Sequence, residues 1–231
     1  MKRQRFSCIL LTSDNVYLSN SAEAYARTLF DVKYVSMQSR NQKSLSAEFF
    51  DVLAKEKTDY LFNFLSPVIL KKGTLYQIEI ASVNFHPAPP EWPGIGSASY
   101  ALYENDETFG VTSHIITEDI DAGRIIRVKR FPIFPDDTCD RIFDRSLNYS
   151  LYLYYEILAE ISSTGKIPMS DDTWKRKAIS RKQFEKWMTL DSSASPEEVM
   201  RKIRACHHNL FPGPRIEIAG HTFELPPRKE S

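Results

Sequence analysis

The feature that most restricts the fold of this chain is an alternation of short apolar runs with helical patterns near its start. Apolar runs at residues 6–11 (FSCILL), 32–35 (VKYV) and 60–65 (YLFNFL) are too short for typical helices and indicate strands covered on both faces. Segments 22–30 and 47–55 lie between these runs and have helical character. A strand–helix–strand–helix–strand order predicts a parallel sheet with right-handed crossovers, and therefore an α/β fold.

Capping signals predict where the helices of this first part begin. Ser21 and Ser46 are the expected N-caps, because a serine hydroxyl accepts a hydrogen bond from a free amide of the first helical turn. Ser66 and Pro67 end the third apolar run, and residues 68–75 follow as a short helix. Most of the connection to the next strand is therefore predicted to be helical.

The middle of the chain predicts further strands and one long helix. Alternating side chains at residues 110–117, with a matching run at 124–133, indicate a pair of adjacent strands. Thr138 is a capping candidate for the long helix, which Gly165 ends. The other elements expected here are a strand at 80–85, a helix at 97–103 and the long helix itself at 140–161. These elements complete a mostly parallel sheet with helical layers.

The last part of the chain is predicted to form a small additional region. Ser195-Pro196-Glu197-Glu198 is typical of a helix start, because it combines a cap, a proline at the first helical position and acidic residues in the first turn. Two short runs around Gly220 predict a β-hairpin. We therefore expect one large domain at residues 1–180 and a small C-terminal helix and hairpin region at residues 181–231.

Composition argues against several classes of protein. The 30 basic and 30 acidic residues balance, so no charge excess favours nucleic acid or an anionic membrane as partner. Cys8, Cys139 and Cys206 are odd in number and far apart, which suits neither a disulfide framework nor a zinc site. The first apolar run is too short for a signal peptide, and no run approaches a membrane span. A soluble cytoplasmic protein without a metal is expected.

Known catalytic motifs are missing from the sequence, while three polar residues stand out. There is no glycine-rich phosphate loop, no H-E-x-x-H and no G-x-S-x-G. Asn84 and His86 end one strand on the same side, and Asp121 follows another. An amide can stabilise a developing oxyanion, an imidazole can move a proton, and a carboxylate can orient that imidazole and favour its charged form. Three turn-capping residues are the alternative interpretation at this point.

The sequence around these residues resembles that of a known family. Asn84-Phe85-His86-Pro87 and the later Asp121-Ala122-Gly123 are similar to the two coupled motifs of formyltransferases that use N10-formyltetrahydrofolate. The resemblance covers most of residues 6–161, and segment 86–94 (HPAPPEWPG) is most similar to bacterial nucleotide-sugar N-formyltransferases. It implies a Rossmann-like fold with Asn84, His86 and Asp121 as catalytic residues.

The same resemblance implies contacts for the folate and for the sugar nucleotide. His114 is expected either to line the folate pocket or to be a structural strand residue. An aromatic ring such as Trp92 can stack on a base or sugar, and a lysine such as Lys72 can meet a pyrophosphate. The expected folate contacts are Asn63, Phe64, Leu65, Pro67, Ile116, Thr117 and Ile120, and the expected sugar-nucleotide contacts are Asn15, Tyr17, Lys72, Trp92 and Gly94.

Departures from other branches of the family favour a sugar as acceptor. The first strand lacks the glycines used by members acting on glycinamide ribonucleotide, and the C-terminal region is short compared with members acting on methionyl-tRNA. The resemblance thus implies formylation of a dTDP- or GDP-linked amino sugar for surface polysaccharide (O-antigen) synthesis. Those other formyltransferases, a formyl-folate hydrolase and a non-catalytic folate- or nucleotide-binding protein remain alternatives. A homodimer is expected, with a contact through Phe211, Ile216, Ile218 and Phe223.

Overall fold

A central six-stranded sheet organises the computed structural model, which describes residues 5–42 and 44–228. The strands are β1 (Ser7–Ser13), β2 (Asp31–Gln38), β3 (Thr58–Phe64), β4 (Ile78–His86), β5 (Thr108–Ile115) and β6 (Ile125–Pro132). Their order is β2-β1-β3-β4-β5-β6. The first four are parallel, whereas β5 runs antiparallel to both of its neighbours. The predicted α/β, mostly parallel, Rossmann-like sheet is confirmed.

Helices cover both faces of this sheet. They are α1 (Val16–Leu29), α2 (Ala47–Lys55), α3 (Lys72–Leu75), α4 (Ser97–Glu104) and α5 (Cys139–Thr164). The chain moves outward from β1 to β2 and then back across β1 to β3, so right-handed crossovers put α1 and α2 on opposite faces. One apolar core joins α1 and α5 to the sheet, and a second core on the other face contains Phe49 and Leu53 of α2.

Two predicted boundaries in this part were wrong. Helix α1 begins six residues before the predicted start, at Val16, because the side chain of Asn15 accepts a hydrogen bond from the Leu18 amide and caps it. Ser21 lies inside the helix, where its hydroxyl donates to the carbonyl of Tyr17. Only residues 72–75 of the predicted 68–75 helix are helical. The predicted helix at residues 47–55 and its Ser46 cap are confirmed.

The C-terminal part adds two helices and a second small sheet. The helices are α6 (Arg181–Met188) and α7 (Pro196–Cys206), and the strands are β7 (Thr189–Leu190), β8 (Arg215–Ile218) and β9 (His221–Glu224). Ser195 caps α7, and β8 pairs with β9 as the predicted hairpin. A third apolar core packs Ala205 and Cys206 of α7 against Trp92 and Leu102, so this region lies beside the loop that follows β4.

Candidate active site

Asn84 and His86 lie at the carboxyl end of β4, beside the antiparallel strand β5. Asn84 is directly opposite His114 in this pair, and His86 is opposite Thr112. Cross-strand partners on one face of a sheet are close enough for their side chains to interact. The Asn84 Nδ2 atom is 3.0 Å from His114 Nε2. Strand alternation therefore brings an amide and two imidazoles to the same end of the sheet.

A tight turn after β5 returns Asp121 to this group. Asp121 has a φ of 44°, in the left-handed region that residues other than glycine rarely adopt. Two residues later, a Cβ atom at Gly123 would overlap the carbonyl oxygen of Ile115. The aspartate and the glycine of the second motif thus have separate roles, because one carries the carboxylate and the other lets the turn pack closely against β5.

Both histidines share the Asp121 carboxylate. Asp121 Oδ2 lies 3.4 Å from His86 Nδ1, and Asp121 Oδ1 lies 3.3 Å from His114 Nε2. The amide of Gly94 donates to Asp121 Oδ2 at 2.9 Å. Burial acts to raise the pKa of Asp121, but His86, His114 and the Gly94 amide outweigh it and hold that pKa at about 2. This carboxylate is therefore ionised at neutral pH.

His86 is buried at the centre of the site. Burial lowers the pKa of His86 below its ordinary value, although Asp121 acts in the opposite direction. Asp121 thus favours the charged form of this ring, as expected, and burial opposes it with the larger effect. Among the described residues, the buried Nε2 atom of His86 has no hydrogen-bond partner. A neutral imidazole with this free nitrogen can accept a proton.

Hydrogen bonds fix the orientation of the His114 ring relative to Asn84. His114 Nδ1 is 2.9 Å from the carbonyl oxygen of Ile115, which can only accept, so Nδ1 carries the proton. His114 Nε2 lies between two groups, 3.0 Å from the Asn84 amide nitrogen and 3.3 Å from Asp121 Oδ1. The contact with Asn84 restricts the plane of that amide and leaves its second N–H for a ligand. His114 thus orients Asn84, whereas the sequence left its role open between folate contact and strand packing.

Comparison with known proteins identifies the family. The formyl transferase family profile matches residues 8–158, which is more than half of the chain. The chain belongs to the formyl transferase family. A methionyl-tRNA formyltransferase from Thermotoga maritima is 25% identical over 196 residues, covering 84% of this chain and 60% of that protein. The chain spans between about a quarter and three fifths of the length of the first curated relatives it matches.

Solved structures of sugar N-formyltransferases share the fold over almost the whole chain. One from a Shewanella species superposes with a TM-score of 0.72 at 18% identity, covering 97% of this chain and 98% of that chain. A Helicobacter canadensis N-formyltransferase, solved with folinic acid and dTDP-3-aminofucose, has a TM-score of 0.67 at 19% identity and covers 93% and 85%. At this identity the likeness establishes the fold, including the C-terminal helices and hairpin.

The residues predicted to hold the folate form two segments of this formyl transferase fold. At the end of β3, Asn63 Oδ1 accepts from the Ser66 amide at 3.1 Å, and Leu65 has a left-handed φ of 63°. Phe64 is fully buried in the core, so only its backbone is available, and Pro67 is half-buried. The result is a tight turn, with residues 65–67 half-buried, beside the strand that carries Asn84.

The second predicted folate segment follows β5. The amide of Ile116 donates to the carbonyl of Ser82 at 2.8 Å, and Thr117 donates from its hydroxyl to Asp119 at 3.1 Å. The Ile120 side chain is 51% exposed. An apolar side chain left in solvent next to the turn that carries Asp121 is free to cover a bound ring system.

Three of the five predicted sugar-nucleotide contacts are accessible to solvent. Asn15 caps α1 and is exposed, and Tyr17 is 74% exposed in the first turn of that helix. Lys72 is paired with Glu118 at 3.1 Å, and both side chains are well exposed. An exposed ion pair is a weak interaction, so the ammonium of Lys72 can exchange Glu118 for a phosphate.

The prediction that Trp92 stacks on a base or sugar does not fit its surroundings. One face of the indole is stacked on Tyr100, and the guanidinium of Arg176 lies 3.9 Å from the ring centre. Its N–H donates to Asp106 at 2.6 Å. No face is open for a ligand because these neighbours enclose the ring. Gly94 contacts the candidate site through the hydrogen bond that its amide donates to Asp121.

Trp174 is a site residue that the sequence analysis missed. Its indole N–H donates to the carbonyl of Gly123 at 2.7 Å, and its ring meets His114 and His86 at centroid distances of 5.1 and 6.1 Å. It lies in an irregular segment far from the catalytic motifs in sequence, with no local pattern that would single it out. Its position depends on long-range backbone contacts.

The described residues contain neither a metal-binding cluster nor a membrane-spanning helix. No cluster of three or more histidine, cysteine, aspartate or glutamate side chains in residues 5–42 and 44–228 could hold a metal ion. In the same part of the chain, no helix combines the length and hydropathy of a membrane span.

Proposed function

We propose that this chain transfers a formyl group from N10-formyltetrahydrofolate to the amino group of a nucleotide-linked amino-deoxysugar. The observation that carries the proposal is the joint placement of Asn84, His86 and Asp121 at one strand end. They supply an amide donor, a buried imidazole nitrogen without a partner, and an ionised carboxylate. Together with family membership, these groups suit acyl transfer to an amine.

Each side chain has a defined task in this reaction. Asn84 directs its free N–H at the formyl oxygen, where negative charge develops as the amine attacks. His86 Nε2 accepts the proton that the attacking nitrogen loses and delivers it to the leaving nitrogen. Asp121 stabilises the imidazolium that forms transiently. Within residues 5–42 and 44–228, no serine, cysteine or lysine side chain is hydrogen-bonded to these three groups, so we propose direct transfer without a covalent enzyme intermediate.

The folate brings the formyl group as an activated amide and leaves as tetrahydrofolate. We assign its ring to the turn at Asn63, Phe64, Leu65 and Pro67 and to the segment containing Ile116, Thr117 and Ile120. The buried and unpartnered His86 Nε2 supports this fit, because an imidazole nitrogen without a partner is expected where a reacting group completes the site. The accessible main chain after β3 can hydrogen-bond a planar heterocycle.

An amino sugar is the proposed acceptor because of similarities in fold to sugar N-formyltransferases. The Helicobacter canadensis structure was solved with a dTDP-linked amino sugar, and the alignment with the Shewanella structure covers 97% of this chain. Lys72 would meet the diphosphate, and Asn15 and Tyr17 would line the approach from α1. We propose a dTDP- or GDP-linked sugar destined for surface polysaccharide such as O-antigen, made in the reducing cytoplasm, where the three buried cysteines stay free.

A methionyl-tRNA substrate is the second candidate, favoured by relatives such as the Thermotoga maritima enzyme. Binding to tRNA draws much of its free energy from cationic side chains that neutralise phosphates. The charge balance of this chain, with 30 basic and 30 acidic residues, weighs against such a partner.

A homodimer is also part of the proposal. Ile218 and Phe223 of the hairpin are 52% and 58% exposed, and all of β9 faces solvent. Exposed apolar side chains on an unpaired edge strand favour association with a second copy.

Incubation with formyl-tetrahydrofolate and a panel of dTDP- and GDP-linked amino sugars tests the proposal. We expect tetrahydrofolate release that depends on one amino sugar, and a product heavier by one formyl group in mass spectrometry. His86→Ala should abolish this turnover. Formate release that needs no amine would identify water as the acceptor instead of the sugar. Formylation of tRNA that requires an attached methionine would identify methionyl-tRNA as the acceptor.

A further inference from the structure

A segment near the C-terminal end of the fold lies across the catalytic group. We name residues 170–179 the strap. Its backbone bonds to three places: Ser170 N to Ile125 O at 3.1 Å, Lys175 N to Pro90 O at 3.0 Å, and Ile179 N to Pro93 O at 3.0 Å. The strap therefore connects the start of β6 to the loop that follows β4, and it passes over the carboxyl end of β4.

Trp174 is the part of the strap that faces the site. Its indole N–H donates to Gly123 O at 2.7 Å, which anchors it to the turn that carries Asp121. Its ring is inclined by 86° to the His114 ring and by 64° to the His86 ring. One side chain thus contacts both histidines and the carboxylate-bearing turn at the same time.

Trp174 also forms the boundary between the site and solvent. It is half-buried, whereas its neighbours Thr173 and Lys175 are exposed. Inside this boundary, His86 retains only 10% of its side-chain exposure and Asp121 only 8%. Removing the indole would therefore open the catalytic group to water.

We propose that Trp174 is a positioning residue that closes the histidine side of the site against water and so decides whether the formyl group reaches an amine or a water molecule. The inference rests on the function proposed above. In the productive reaction the bond from carbon to the folate N10 breaks, a bond to the amine nitrogen forms, and the amine proton passes through His86 to N10. With water in place of the amine, the same proton balance yields formate and tetrahydrofolate.

Three variants separate this role from general packing. Trp174→Ala removes the cover, and Trp174→Phe keeps an aromatic ring but loses the bond to Gly123. Trp187→Ala is the matched control, because Trp187 packs on Tyr100 and Tyr103 in an aromatic cluster away from the histidines. For Trp174→Ala we expect the ratio of formate release to transfer to rise about tenfold. Trp187→Ala should leave that ratio at the wild-type value. Trp174→Phe should have a ratio close to the wild-type value.

An NMR titration of the histidine ring protons gives a readout that needs no turnover. The ionisable groups facing His86 are Asp121 and His114, and burial is the main cause of its lowered pKa. Hydration of the site in Trp174→Ala should therefore raise the pKa of His86 by roughly half a unit or more, with no shift in Trp187→Ala. This arm remains decisive if the wild-type protein formylates none of the sugars tested. An unchanged titration in Trp174→Ala would overturn the role of Trp174, and so would an unchanged partition ratio where transfer is measured.

Discussion

The amide of Gly94 and the carboxylate of Asp121 are joined by a 2.9 Å hydrogen bond across 27 residues of sequence. The bond connects the proline-rich loop after β4 to the turn after β5. It also gives Asp121 Oδ2 a donor besides His86, which helps to hold the carboxylate oxygens in place beside His86 and His114. The loop between the two sequence motifs thus contributes directly to their geometry.

Replacement of Gly94 by alanine should disable the site while leaving most of the fold. Gly94 has a φ of 88°, and an added Cβ would overlap the backbone of Ile179, so the loop must move away from Asp121. We expect a loss of roughly 1–3 kcal/mol in the free energy of unfolding and a fall in turnover of about tenfold or more.

Gly220→Ala is the matched control for this substitution. Gly220 has a similar φ of 78°, but an added Cβ meets no heavy atom within 4 Å. It should show the cost of backbone strain without the loss of turnover. Urea unfolding and formyl transfer measured on both variants test the argument, which fails if Gly94→Ala keeps wild-type turnover.

Sequence could predict the elements whose signals are local. The helix at residues 47–55 and its Ser46 cap follow from a hydrophobic stripe preceded by a serine, and both are as predicted. The prediction of Ser21 as an N-cap was wrong, because a serine inside a helix can donate its hydroxyl to the carbonyl four residues earlier, as Ser21 does to Tyr17. The choice between Asn15 and Ser21 as N-cap depends on where β1 ends. The apolar run defines that end only to within several residues.

The sequence could predict which side chains meet at the site only where strand alternation determines their side of the sheet. Alternation places Asn84 and His86 on one side of β4, and it also puts His114 on the facing side of β5. The contacts of Gly94 and Trp174 were not readable, because they depend on backbone bonds between segments far apart in sequence. The enclosed environment of Trp92 arises in the same way, from Tyr100 and Arg176.

Asn84 and His114 should behave as a coupled pair. Asn84→Ala removes the donor to the developing oxyanion, and we expect turnover to fall by about 10²–10³. His114→Ala removes the ring that contacts and orients the Asn84 amide, so part of the same free energy is already lost. The double variant should therefore be less impaired than the product of the two single effects, with a coupling of roughly 0.5–3 kcal/mol.

Steady-state kinetics on the two single variants and the double variant measure this coupling. Arg141 lies on the exposed surface of α5, where it pairs with Asp136. Combining Arg141→Ala with Asn84→Ala gives the control cycle, whose effects should add. Additive effects of Asn84→Ala and His114→Ala would show that His114 does not act through Asn84.

A charge on the hairpin should prevent self-association. Phe223 is 58% exposed on the outer strand β9, and we expect Phe223→Glu to weaken a dimer by about tenfold or more. Tyr152→Glu is the control, since Tyr152 is a comparably exposed aromatic residue on α5. Sedimentation velocity over a range of concentrations distinguishes the two. An unchanged dimer in Phe223→Glu would place the interface elsewhere on the surface.

Acid should destabilise the fold by protonating the carboxylate of Asp121. The pKa of Asp121 falls from an ordinary 3.8 to about 2 in the folded protein, so the unfolded chain binds more protons in this range. Its contribution of about 2 kcal/mol is fully present above pH 3.8 and is lost as the pH falls toward 2. The lowered pKa of His86 has the same sign and acts at higher pH, below its ordinary 6.5.

The Asp121→Asn variant isolates the carboxylate contribution. Between pH 4 and pH 2 its free energy of unfolding should decline less steeply than that of the wild type, because asparagine does not titrate. Asp136→Asn is the control, since Asp136 is 80% exposed in a surface ion pair with Arg141, and it should follow the wild-type curve. Urea unfolding at closely spaced pH values gives both slopes. Parallel curves for Asp121→Asn and the wild type would mean that the histidines do not hold this carboxylate in its ionised form.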